Sequence, residues 1–224
     1  FLTVWDKRLG LDGFVNWVSR NQEELFVATS TGLFRLAERR QGRKIFVRDA
    51  HVVDPAFQLL RRKDELWIAT ARGIFGATGA NNSAQFIQIP GRSVFSLAEL
   101  ADDLLAVGAK NGLYWLQKVN DRWTARVVSG LSGEVLRTVR SNHTLWLSLR
   151  GGQVVRMQFP NDWLQKPEVT VYGKADGLPG SEVQITTLDD TPLFFSREGI
   201  YRFVPEARPA FQRDTTLLAP GHEG

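Results

Sequence analysis

The 224-residue chain contains no cysteine, one methionine, three histidines and three tyrosines. Without thiols it has no disulfide framework, no thiolate nucleophile and no thiolate metal site. The histidines, His51, His143 and His222, share no spacing with one another or with paired carboxylates, so neither a metal centre nor an acid–base set is expected. Asp102-Asp103 and Asp189-Asp190 sit in short turns, where turn chemistry accounts for aspartate. Neither a Gly-Lys-Ser/Thr phosphate loop nor a Gly-x-Ser-x-Gly elbow is present. No run approaches the roughly 20 apolar residues of a membrane-spanning helix, and no basic-then-apolar leader opens the chain. The 28 Lys and Arg against 24 Asp and Glu leave a net charge of +4. Those bases are dispersed rather than blocked, a poor footprint for nucleic acid. No cofactor, metal ligand or catalytic residue is therefore assigned.

What the chain does have is a repeat. Hydrophobic residues make up 43% and aromatics 11%, enough for a packed β core. Leu25-Phe26-Val27-Ala28-Thr29-Ser30-Thr31-Gly32-Leu33-Phe34 returns as Leu66-Trp67-Ile68-Ala69-Thr70-Ala71-Arg72-Gly73-Ile74-Phe75. Looser copies run from Leu104 to Tyr114, Leu145 to Val154 and Leu193 to Tyr201. The turn glycines Gly32, Gly73, Gly112, Gly152 and Gly199 are 41, 39, 40 and 47 residues apart. A strand-built period near 40 marks propeller blades, each too small to bury its own core.

Ten residues before the leading leucine of each copy stand Val15, Ala56, Val94, Val135 and Val183. This constant offset defines a first strand, over Val15–Ser19, Ala56–Leu60, Val94–Ala98, Val135–Val139 and Val183–Thr187. The leucine strand is nearly continuously apolar, as in a sheet covered on both faces. Glycine then turns the chain into a third strand. A weaker fourth strand is read at 44–47, 85–89, 123–128, 169–172 and around Phe211. The expected fold is all-β: a β-propeller of four-stranded antiparallel blades, about five present, at 13–49, 54–90, 92–129, 133–173 and 180–214. Residues 1–12 read as the outer strand of a preceding blade or a closure strand, in a single propeller unit over 1–224. Because Phe211 gives the last blade its own fourth strand, the favoured reading is a piece of a seven- or eight-bladed propeller in a longer chain.

An Asp176-Gly177-Leu178-Pro179 turn before a strand, together with Leu-Trp-Ile-Ala-Thr strands ending on Gly-Leu-Phe-type turns, resembles the two-component regulator propeller repeat. The best matches are Leu66–Phe75, Leu25–Phe34 and Asp176–Val183. In the third and fourth copies Gly108 and Ser148 fall where the threonine is expected. The resemblance implies a periplasmic, extracytoplasmic sensor propeller of a bacterial receptor whose output is a histidine kinase or nucleotide cyclase. Its partners would be a small ligand or other domains of the same receptor, with the membrane reached only through segments not in this sequence.

Propellers bind where loops converge on the channel mouth. Four of the five turns before the glycine carry a base: Arg72, Lys110, Arg150 and Arg197. Together they would form a loose positive collar attracting an anionic ligand or acidic sugar, or they are ordinary solvated turn residues. Polar residues of the first strands, Asn16, Gln58, Arg137 and Gln184, are candidates to line the channel, with Trp17 able to stack on a sugar ring. Bonding to channel water is the alternative. The expected function is ligand sensing without catalysis, against a protein–protein scaffold or, less favoured, a propeller lyase or glycosidase. Homodimerisation through blade edges is expected if the ring is open.

Overall fold

In the computed structural model, residues 6–20, 24–38, 42, 44–63, 65–78, 83–90 and 93–216 are described. Twenty strands form five antiparallel sheets of four. The first holds β1 (Val15–Arg20), β2 (Leu25–Thr29), β3 (Gly32–Glu38) and β4 (Lys44–Arg48). The second holds β5 (Ala56–Arg62), β6 (Glu65–Thr70), β7 (Ile74–Thr78) and β8 (Ser83–Ile87). Next come β9 (Val94–Ala101), β10 (Leu104–Ala109), β11 (Gly112–Val119) and β12 (Arg122–Val127). The fourth sheet holds β13 (Val135–Ser141), β14 (Thr144–Leu149), β15 (Val154–Gln158) and β16 (Glu168–Tyr172). The last holds β17 (Gln184–Leu188), β18 (Thr191–Ser196), β19 (Gly199–Phe203) and β20 (Phe211–Arg213). Each sheet pairs its strands in chain order, the up-and-down blade of a β-propeller.

Small departures from the sequence expectation have local causes. The fourth strand of the second blade is Ser83–Ile87, two residues earlier than read, and the last blade's first strand starts at Gln184 rather than Val183. Lys7–Leu9 form a 3-10 turn. The expected strand at Phe1–Trp5, the turn at Asn21–Glu23 and His222 lie outside the described residues.

The chain divides into two compact units, 1–97 with 116–126 and 98–115 with 127–224, so the division runs through the third sheet. Within the first unit, Ala28 and Leu33 of the first sheet pack against Ala56, Leu59, Ile68 and Phe75 of the second. Trp67 is buried, donates its indole N–H to Glu65 at 2.9 Å, and meets the Trp123 ring edge-on at 5.0 Å. Within the second unit, Leu104, Ala106 and Leu113 pack on Leu145, Leu147 and Met157. On the other face of the fourth sheet, Trp146 meets Phe194 and Phe203 of the fifth at 5.2 and 4.9 Å. Second strands thus bury both faces: all six residues of β10 are buried. Fourth strands alternate and stay wet, as β12 shows, with charged residues on an edge that would otherwise template pairing.

The recurrent glycine is required by both backbone and space. Gly32, Gly73, Gly112 and Gly199 hold φ of 136, 151, 130 and 140°. A Cβ on Gly73 would stand 2.6 Å from the Ile87 carbonyl oxygen, and one on Gly32 2.6 Å from that of Val52. The turn is pressed against the backbone leaving its own fourth strand. Gly73→Ala is therefore expected to cost ~2–4 kcal/mol, lowering the melting midpoint by roughly 2–4 °C per kcal/mol. Gly130, at φ 84° with nothing within 4 Å of a Cβ, is the control. Equal midpoints for G73A and G130A in thermal unfolding would refute this account of the repeat.

Candidate functional site

A hydroxyl locks the turn between second and third strands. Thr70 donates its Oγ1 hydrogen to the Gly73 carbonyl at 2.9 Å and accepts the Arg72 N–H at 3.2 Å. Thr29 does the same, bonding Gly32 O and the Thr31 N–H, each at 3.1 Å. In the fifth blade Ser196 accepts the Glu198 N–H at 3.0 Å. The register corrects the sequence alignment of the two degenerate copies. Leu149 lies opposite Val135 as Thr70 lies opposite Ala56, so Leu149 and not Ser148 takes the threonine position. By its distance from Gly112, Ala109 and not Gly108 takes it in the third blade. The third turn stays short without a cap, whereas the fourth is one residue longer and uses two positive-φ glycines, Gly151 and Gly152.

The four turn bases are exposed but not alike. In the first unit, Arg72 pairs with Asp54 at 3.4 Å and lies over the Phe86 ring. In the second unit, Arg150 bonds Glu134 and reaches Glu182 at 2.9 Å. The Glu134 carboxylate raises the Arg150 guanidinium above its ordinary value. Lys110 and Arg197 have no carboxylate within 4 Å among the described residues. Asp54, Glu134 and Glu182 stand one or two residues before the expected first strands at Ala56, Val135 and Val183. That recurrent acid was visible in the sequence and was not singled out.

On the first strands the amides reach across blades. Asn16 donates to the Ala56 carbonyl at 2.8 Å. Gln58, buried, donates to Leu97 O at 3.1 Å and accepts the Leu97 N–H at 2.8 Å. Neighbouring first strands share no ladder, so their inward backbone groups need such partners. Trp17 is half-buried against the core between the first and second sheets. In the second unit, Arg137 is half-buried, donates to the Leu136 carbonyl at 3.1 Å, and has its guanidinium pulled below its ordinary value by burial. Gln184 is exposed. Side chains of these first strands do not alternate strictly between the two faces. The register shifts between Val15 and Trp17, Ala56 and Gln58, and Val135 and Arg137, a bulge at the same place in three blades.

His51 is exposed, 3.7 Å from Asp49, and His143 stacks on Trp163. Among the described residues no three His, Asp or Glu gather as a metal site. Asp189 and Asp190 have φ of 47 and 62°, the two left-handed residues of a tight hairpin turn.

Gln58→Leu would strand the buried Leu97 N–H and C=O at a cost of ~2–4 kcal/mol. Gln184→Leu, on an exposed strand, is expected to stay within about 0.5 kcal/mol of the parent. Denaturant titration of the two variants checks this, and an unchanged midpoint for Q58L would remove the bracing role.

No protein-family model matches the chain, and no curated protein does. Solved structures do. The extracellular domain of BT3049 of B. thetaiotaomicron, designated a hybrid two component system, superposes with a TM-score of 0.74 at 14% identity. That match covers 94% of this chain and 31% of the other. The extracellular domain of BT4673 of the same organism, designated likewise, gives 0.66 at 14% identity, over 89% and 27% of the two chains. Virginiamycin B lyase from Staphylococcus aureus gives 0.65 at 14% identity, over 92% and 72%. The chain thus spans about a third of the length of the two extracellular domains. In fold it is a β-propeller similar to those domains.

Proposed function

We propose that this chain is a sensing propeller of an extracytoplasmic bacterial receptor, binding a small anionic ligand or a partner domain at its second-to-third strand turns. The observation that carries the reading is the likeness of the fold to two extracellular receptor domains over nearly the whole chain. Composition of the site agrees with binding rather than catalysis. Asn16 and Gln58 are committed to backbone, and Arg72 and Arg150 are committed to carboxylates. Lys110 and Arg197 are the bases left for an anion. The lyase reading has only the shared fold behind it.

A binding propeller needs partners on its exposed surfaces as well. On the first sheet, Val27, Phe34 and Phe46 form a small cluster whose face also carries Val18, 53% exposed. Homodimerisation, expected from the sequence through blade edges, is extended here to this face of the first sheet as part of the proposal.

Thermal unfolding against acidic sugars, organic acids, neutral oligosaccharides and peptides tests the ligand. At 100 times its dissociation constant a ligand adds about 2.7 kcal/mol. Binding to exposed cations should weaken with salt. A combined Lys110→Gln, Arg197→Gln variant should lose the response to acidic sugars while keeping the parent midpoint. An acidic-sugar response that survives both substitutions would contradict the assignment. Light scattering tests the dimer: a monodisperse monomer at high concentration ends that part, whereas a dimer dispersed by Val18→Glu supports it.

A further inference from the structure

A cleft of about 560 Å³ opens in the second unit where β16, the turn after it and the loop between β19 and β20 meet. It uses none of the turn bases. Its residues are brought together by one packing event. Gly177, at φ 92°, lets the turn press on β20, where a Cβ would lie 2.3 Å from the Phe211 carbonyl oxygen. Leu178 then plugs into the core with Trp146, Phe194 and Phe211. The segment is thereby pinned against the core at this end, with the cleft beside it.

Its walls combine two cations with apolar surface. Lys174 is exposed and has no ion-pair partner among the described residues. Arg208 donates only from Nη1, to the Ala207 and Pro205 carbonyls at 2.9 and 3.3 Å, leaving Nε and Nη2 for another acceptor. The one carboxylate in the lining, Asp176, already accepts the Gly173 N–H at 2.9 Å. Pro205 and Pro209 supply rigid apolar wall. Tyr172, held by Phe203 and Phe211 at 5.3 Å each, supplies an aromatic one. The volume falls within the range of small-molecule sites.

We infer that this cleft binds a small organic carboxylate with a compact apolar body, its carboxylate between Lys174 and Arg208 and its body against Tyr172 and the prolines. Two charge-assisted contacts fix the anion, and the apolar wall separates such a ligand from inorganic ions. The inference goes beyond the sensing role and does not depend on it.

The test is a 19F NMR titration of the intact chain with 4-fluorobenzoate and its neutral isostere 4-fluorobenzamide. The carboxylate should bind with a Kd of about 1 mM or tighter. Lys174→Gln or Arg208→Gln should weaken it about tenfold each, a charged hydrogen bond being worth that much. Ala175→Phe, which fills the cleft and leaves both charges in place, should remove binding. Circular dichroism and melting should stay at parent values, since all three side chains are exposed. Equal affinity for the amide, indifference to the Lys174 and Arg208 substitutions, or no binding overturns the inference. Loss on the combined Lys110 and Arg197 substitution alone would overturn it too, while supporting the turn site proposed above.

Discussion

A four-stranded sheet whose second strand is apolar on both faces cannot stand alone in water, and the rest of this structure follows from that. Leu145 and Leu147 of β14 point to one neighbour and Trp146 to the other, so the strand is stable only between two further sheets. Covering one face with a copy of the same unit moves the requirement along the chain. Each repeat must therefore carry devices that fix its successor as well as itself. The amides of Asn16 and Gln58 do this at the first strands, binding backbone about 40 residues ahead. Arginines do it elsewhere. Arg140 donates to the Leu100 carbonyl at 3.0 Å and lies over Trp163, while Arg156 lies over Trp146 and Phe203. Arg62, buried, lies over Trp123. Arg62, Arg140 and Arg156 are thus used structurally, as planar cations laid on aromatic rings.

The turn glycine is the second such device, and the variations around it are instructive. Where a hydroxyl caps the turn, as at Thr29, Thr70 and Ser196, the turn stays short. At Leu149 one extra residue and a second positive-φ glycine make the turn instead. Four of the five turns hold their glycine at φ of 130–151°, and the fourth departs from them. Lys110, Arg150 and Arg197 directly follow the last residue of the second strand, whereas Arg72 stands one residue later, next to its glycine.

Much of this was legible in the sequence because it is periodic. The 39–41-residue spacing of the first four glycines, the fixed ten-residue offset and the unbroken apolar second strand each report a local requirement that every blade meets. What escaped is either aperiodic or non-local. A bulge after Val15, Ala56 and Val135 adds one residue and breaks the two-residue period on which side-chain direction was inferred. Gln58 reads as a channel residue until its partner, Leu97, is brought beside it by blade packing. The fourth strand of the second blade slipped by two residues because an edge strand, wet on one side, has little hydrophobic pattern to fix its register.

The same distinction governs the candidate site. Four bases read as one collar in the sequence because the repeat places them alike. Their charge is nonetheless set by what stands before a first strand, that of their own blade or of the next, and that varies. Asp54 offsets Arg72, and Glu134 and Glu182 together offset Arg150. Arg150 thereby joins the approach to its own blade to the approach to the next, a structural use of charge at an address where a ligand contact was expected. Lys110 and Arg197 keep the address without the acid. Blade-to-blade differences, rather than the shared pattern, therefore locate function in a repeat protein of this kind. In the proposed sensing role, a ligand held there would act on rigid sheets and could transmit only by favouring one arrangement of the propeller with a partner over another.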